Sequence, residues 1–210
     1  MERTETTATP DESTVDDLRP EVEAHRDPGY DVDPLFVNRW SPRAMTGEPV
    51  AEADLMALFE AARWAPSSYN NQHWRFVYAA RDDEVWDDFL ALVNDHNREW
   101  AADAGALVVI LSKTTFDHNG APVASHSFDA GAAWENFALE GSRRGLAVHA
   151  MGGFDHEAAA DRFDLDEEYD VEVMVAVGIH DDSDDTDEHP NNRKPLDEVV
   201  FEGEFTPDED

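Results

Sequence analysis

The chain has 210 residues, no cysteine, and 15 Lys and Arg against 49 Asp and Glu, a formal charge of −34. That length suits one substantial domain, and the charge argues against an intrinsic basic platform for nucleic acid or anionic lipid. Without cysteine there is no disulfide framework or thiolate chemistry, and the longest aliphatic run, Ala106 to Leu111, is far too short to span a bilayer.

Residues 1–34 hold eleven of the acids and are punctuated by Pro10, Pro20, Pro28 and Pro34, with one weak amphipathic turn at Val15, Leu18 and Val22. They read as an acidic arm, and the opening residues lack the apolar core of a secretion signal, so a cytoplasmic protein is expected. In 51–64, Leu55, Leu58, Phe59 and Ala62 fall at i, i+3, i+4 and i+7, the stripe of an amphipathic helix that Pro66 ends. A β-rich segment follows at 74–80, then a helical pattern at 82–100 with Phe89, Leu92 and Val93 inward, and a buried strand at 106–113. Small residues dominate a helix predicted over 127–145 and stopped by Gly145. Strands are predicted at 146–151 and 171–179 around an acidic helix at 155–163, so strands and helices alternate as in a layered domain. Past an acidic loop at 181–189, Val199, Val200 and Phe201 form a strand-like apolar tail that needs a surface, a partner's included. The domain is placed at 35–205, and 206–210 is an acidic tail.

Several familiar chemistries lack their signatures. There is no G-x-G-x-x-G, P-loop, G-x-S-x-G or H-E-x-x-H. His118 with His126, or His149 with His156, could in principle share a metal, but no ligand-spaced carboxylates accompany them, and no metal is expected. The loop DDSDDTDEHP has Asp187 where a calcium loop needs Gly, and reads as a solvated acidic loop.

Two stretches are unusual. In RWSPR, Arg39, Ser41 and Arg43 alternate, so an extended backbone points all three side chains one way. Where basic residues are scarce, two Arg around a hydroxyl suit an oxyanion, because guanidinium offers a rigid fork; charge balance against nearby acids is the other reading. The second stretch, WAPSSYNNQHWRF, carries seven consecutive polar residues from Ser67 to His73, more than a turn requires.

Taken in order, RWSPR, APSSYNNQHW, GAAWENFALEGSRRGLAVHAMGGF and VAVGI with RKPLDEVV resemble the FMN-dependent nitroreductase family over about 35–201. The resemblance implies an α+β fold, a three-layer sandwich with a central, mainly antiparallel sheet, whose active unit is a homodimer with FMN in the groove between subunits. By the same resemblance, Arg39, Ser41 and Arg43 bind the ribityl-phosphate and pyrimidine side, and Arg193 completes the phosphate clamp. Pro66, Ser67, Ser68, Asn70 and Gln72 would line the flavin, with Asn70 as a direct amide partner, and Gly152 and Gly153 would offer backbone N–H near N5 and O4. Gly152 and Gly153 also suit a plain strand-to-helix turn, and Trp134 and Phe137 suit the core. His73 stands where the family often has Pro, and Asn191 where some members have a second basic residue, which implies a phosphate held by fewer charges.

The implied activity is hydride transfer from NADH or NADPH through flavin N5 to a small-molecule acceptor such as a nitroaromatic or quinone. Alternatives are a specialised branch, by reductive dehalogenation or flavin fragmentation, and a non-catalytic flavin-binding halophilic protein. The acidic composition resembles that of haloarchaeal proteins, so a cytoplasm rich in salt is expected.

Overall fold

A computed structural model describes residues 17–183 and 187–205. The part of the N-terminal arm before residue 17, including Val15, and the acidic tail 206–210 lie outside the described residues.

Four strands form one antiparallel sheet: β1 (Trp74–Ala80), β2 (Ala106–Lys113), β3 (Leu146–Met151) and β4 (Tyr169–Ile179), in the order β1-β2-β4-β3. Central β2 is paired on both sides, and alternation does the rest: Leu107, Val109 and Leu111 enter one apolar layer while Ala106, Val108 and Ile110 enter the other. On the second face lie α3 (Glu52–Arg63), which contributes Leu55, Leu58 and Ala62, and α6 (His126–Arg143), which contributes Ala133, Phe137 and Ala138. The first face is covered by α4 (Trp86–Leu92) and α7 (His156–Arg162), whose Trp86, Phe89, Leu92 and Ala159 are buried. The result is the expected α+β sandwich of helices, sheet and helices. A Cβ on Gly141 of α6 would collide with Val148 of β3, so this helix rests directly on the sheet.

Two expectations are corrected. The helix predicted over 82–100 is two helices, α4 and α5 (Asp95–Ala101), because Val93 turns extended and Asn94 caps the second, its side chain accepting the Asn97 N–H at 2.9 Å. Val93 also bridges to Phe154, which pulls the chain out of helical register. The C-terminal segment, for its part, is no strand: a single 3₁₀ turn at Leu196–Glu198 is followed by irregular chain whose apolar residues are exposed. Its backbone closes a local turn instead of joining an edge of the sheet: the Glu198 N–H donates to the Pro195 carbonyl, and the Val199 and Val200 N–H groups donate to Leu196.

Ahead of the sandwich, α1 (Pro20–Glu23) and α2 (Pro34–Asn38) lie against it. Val22 is fully buried, and Arg19 donates to the Ser142 carbonyl at the end of α6. The Arg19 N–H donates to Asn38 Oδ1 at 2.9 Å, and Asn38 Nδ2 donates to the Asp17 carbonyl at 3.0 Å. No helix among the described residues is long and apolar enough to cross a membrane.

Candidate functional site

A cavity of about 500 Å³ opens where the start of the domain, the end of the described chain and β3 meet. Arg39, Ser41 and Arg43 line it together with Arg193, so segments from opposite ends of the sequence share one hollow. Helix α2 ends at Asn38, and the extended chain beyond it carries the three alternating side chains inward. Arg39 donates to Ser41 Oγ at 3.2 Å, lies 3.7 Å from the Glu135 carboxylate, and stands over the ring of Trp134 at 5.7 Å.

Two further residues of the cavity were not singled out in the sequence, and a third, His149, was named there only as half of a possible metal pair. Arg26 comes from the arm, His149 from β3, and Glu188 from the acidic loop. Burial, with the positive charges of Arg193 and Arg39, pushes the pKa of Arg26 below its ordinary value, down to about 10. Burial lowers Arg39 as well, against the pull of Glu135 and with the push of Arg193. His149 is held below its ordinary value by burial, opposed by hydrogen bonding to the Pro42 carbonyl, with Arg43 adding repulsion. Glu188 turns its carboxylate onto the backbone: one oxygen accepts the Arg43 and Ala44 N–H groups at 2.8 and 2.9 Å. The loop read as merely solvated therefore fixes the RWSPR backbone. Nothing in the local sequence assigns these three residues to one cavity, since only the fold brings them together.

Residues 66–72 do not line this cavity. They make a loop of their own, with Tyr69, Asn70 and Gln72 all at positive φ, 53°, 54° and 53°. A non-glycine residue there is strained, and such strain gathers at ligand-binding sites when the surroundings enforce it. Here they do: the Gln72 N–H donates to Ser67 Oγ at 2.9 Å, Gln72 Nε2 donates to the Asn70 carbonyl at 3.1 Å, and the Ser68 N–H donates to buried Asp129 at 2.9 Å. His73, fully buried below, bonds through Nδ1 with the Lys113 carbonyl at 2.8 Å. Pro66, Tyr69, Asn70 and Gln72 are exposed, and Ser67 and Ser68 half-buried.

Gly152 and Gly153 end β3 away from the cavity lining. A Cβ on Gly153 would strike the side chains of Asn97 and Asn94, so packing accounts for that glycine, whereas space over Gly152 is open. Phe137 is core, and Trp134 packs against it beneath Arg39. The paired histidines stand apart in function: His126 bonds with Ser112, His149 with Pro42, and His156 stacks on Phe154. Among the described residues no group of three or more candidate ligands stands ready for a metal.

The family model described as Nitroreductase family matches residues 37–98 and 91–179. A solved structure described as "the oxidoreductase containing FMN" is 42% identical, with a TM-score of 0.82 over 87% of this chain and 97% of its own. The "Nitroreductase Family Protein" of Streptococcus pneumoniae TIGR4 is 19% identical and shares the fold, with a TM-score of 0.66 over 80% of this chain and 98% of its own. In Bacillus subtilis strain 168, the protein named "Putative NAD(P)H nitroreductase YodC" is 25% identical over 187 residues, which cover 73% of this chain and 89% of that one.

Proposed function

Because the chain belongs to the nitroreductase family, we propose that it is an FMN-dependent oxidoreductase that passes hydride from NADH or NADPH to a nitroaromatic, quinone or similar small acceptor. One observation carries this reading: in a protein with 15 basic residues against 49 acidic ones, Arg39, Arg43 and Arg193 converge with a hydroxyl on one cavity of about 500 Å³. Guanidiniums gathered in this way suit an anion, and a phosphate on a polyhydroxyl chain matches guanidinium forks beside Ser41. Bound FMN would supply the hydride relay at its N5.

Arg39 and Arg193 then hold the phosphate, while Ser41 and Arg43 meet the ribityl and pyrimidine side. The loop bearing Pro66, Ser67, Ser68, Asn70 and Gln72 would line the bound flavin, and Gly152 and Gly153 would offer it backbone N–H groups. In one copy that loop and the arginine cavity are separate, an arrangement suited to a site shared between the subunits of a homodimer. Exposed Trp64, Tyr69 and Phe128, at 72%, 84% and 80%, provide apolar surface for such a partner. The charge of −34 supports a salt-rich cytoplasm as the working environment.

The test is direct. Protein purified in high salt should be yellow, bleach under anaerobic NADH or NADPH, and recover colour with a nitroaromatic or quinone. A protein that stays colourless in excess FMN overturns the proposal.

A further inference from the structure

Resting on the phosphate reading above, we propose that Arg26 is a third phosphate-binding guanidinium of the cavity, which makes the arm preceding the family-matched region part of the cofactor site. Arg26 is only 8% exposed and lines the hollow with Arg39 and Arg193. Its described hydrogen bonds all reach backbone carbonyls: Nε donates to Asn191 at 2.9 Å, and Nη1 donates to Val37 at 2.5 Å and Arg39 at 2.8 Å. Carbonyls satisfy N–H groups but leave the charge standing. A buried cation without a carboxylate partner among the described residues, beside two more guanidiniums, is unfavourable in the free protein and favourable around a dianion.

The acceptors of Arg26 also belong to the segments that carry Arg39 and Arg193. A single side chain thus joins the two walls of the cavity and leaves Nη2 without a protein partner among the described residues. Carboxylates of Asp187 and Glu188 share the lining, yet Glu188 is committed to the N–H groups of Arg43 and Ala44. The Arg26 N–H donates to the carbonyl of buried Val22 at 2.8 Å, and the neighbouring His25 ring meets that of His189 at 4.6 Å. Burial and neighbouring cations lower its pKa, the direction that an arriving phosphate reverses.

Riboflavin, which has the same ring and no phosphate, separates the possibilities. Full-length wild type, Arg26→Gln and Arg26→Lys are titrated with FMN and with riboflavin by flavin fluorescence, with circular dichroism as the folding control. Arg26→Gln should bind FMN about ten- to a hundredfold more weakly with riboflavin affinity unchanged, and Arg26→Lys should fall between. Unchanged FMN affinity in Arg26→Gln overturns the proposal, and so does an equal loss for both flavins, which would make Arg26 a brace alone. In the wild-type chain, FMN but not riboflavin should slow amide exchange over residues 22–26, a readout that survives if a variant fails to fold; equal protection, or none, overturns the role. If wild type binds riboflavin as tightly as FMN, the phosphate assignment of the whole cavity falls, whatever Arg26 does.

Discussion

Asp129, buried in the first turn of α6, accepts the backbone N–H of Ser68 at 2.9 Å, and the same oxygen lies 3.7 Å from His73 Nε2. A carboxylate on a helix inside the sandwich thereby sets a loop that carries five proposed flavin contacts. Removing it in Asp129→Ala should cost about 1–3 kcal/mol and speed amide exchange at Ser67 to Gln72. Asp129→Asn keeps an acceptor and should lose less. If exchange in the loop is unchanged in Asp129→Ala, the loop holds itself.

Arg39→Ala and Arg193→Ala should each lower FMN affinity about ten- to a hundredfold, the loss of one charge-assisted bond of roughly 1.5–3 kcal/mol, with secondary structure intact. Both variants should purify colourless or partly loaded and regain activity in excess FMN. Titrations that match wild type for both would return these arginines to surface charge balance.

His149 supplies a pH dependence. Burial, the largest effect, makes its folded form bind a proton less readily than the unfolded chain, where the ordinary value is 6.5. The unfolded state therefore takes up protons first as pH falls, so this stabilisation is complete above 6.5 and is lost as pH drops below it toward the lower folded value. Denaturant titrations at about pH 7.5 and about pH 5.5 should show a smaller fall in stability for His149→Gln than for wild type. Equal slopes would mean that the imidazole is as free as in solution.

Salt should govern folding. At molar KCl the Debye length is about 3 Å, whereas at 0.01 M it is about 30 Å, long enough for the acidic faces to repel one another. Dilution into low salt should lower helicity and melting temperature. A circular dichroism series that stays flat from molar to millimolar KCl would remove the halophilic reading.

Leu196, Val199, Val200 and Phe201 are 53%, 55%, 59% and 40% exposed, although they are the apolar residues of their segment. We expect a second copy to cover them. Deleting 196–210 should give monomers or aggregates in light scattering, and a stable, flavin-loaded monomer from that truncation would contradict the assignment.

The layered core was legible because period and length act locally. β2 announced itself by an unbroken β-branched run, and α3 by Leu55, Leu58 and Ala62 on one face. The break at Asn94 was less visible: Asn is an ordinary residue inside a helical pattern until Val93 is drawn to Phe154, a contact distant in sequence. Arg39, Ser41 and Arg43 could be nominated by their alternation, and Arg193 by the family resemblance. Arg26 could not, because its value comes from where α1 folds back. The C-terminal tail misled for a related reason: its composition favours a strand, but its N–H groups close a local turn at Leu196–Glu198 in place of pairing with an edge of the sheet.

Helix α6 holds three separate attachments along its length: Asp129 grips the loop, Glu135 faces Arg39, and the Ser142 carbonyl takes Arg19 of the arm. At about 1.5 Å per residue, the first two anchors stand about 9 Å apart along the axis and the last two about 10 Å. Gly141, with no room above Val148 for even a methyl group, pins this rod to the sheet so that it cannot slide. The helix is thus the gauge of the molecule. Inserting one residue between Asp129 and Glu135 would advance one anchor by a rise and a rotation of about 100°, mismatching loop and arginine while every residue that touches a ligand kept its identity.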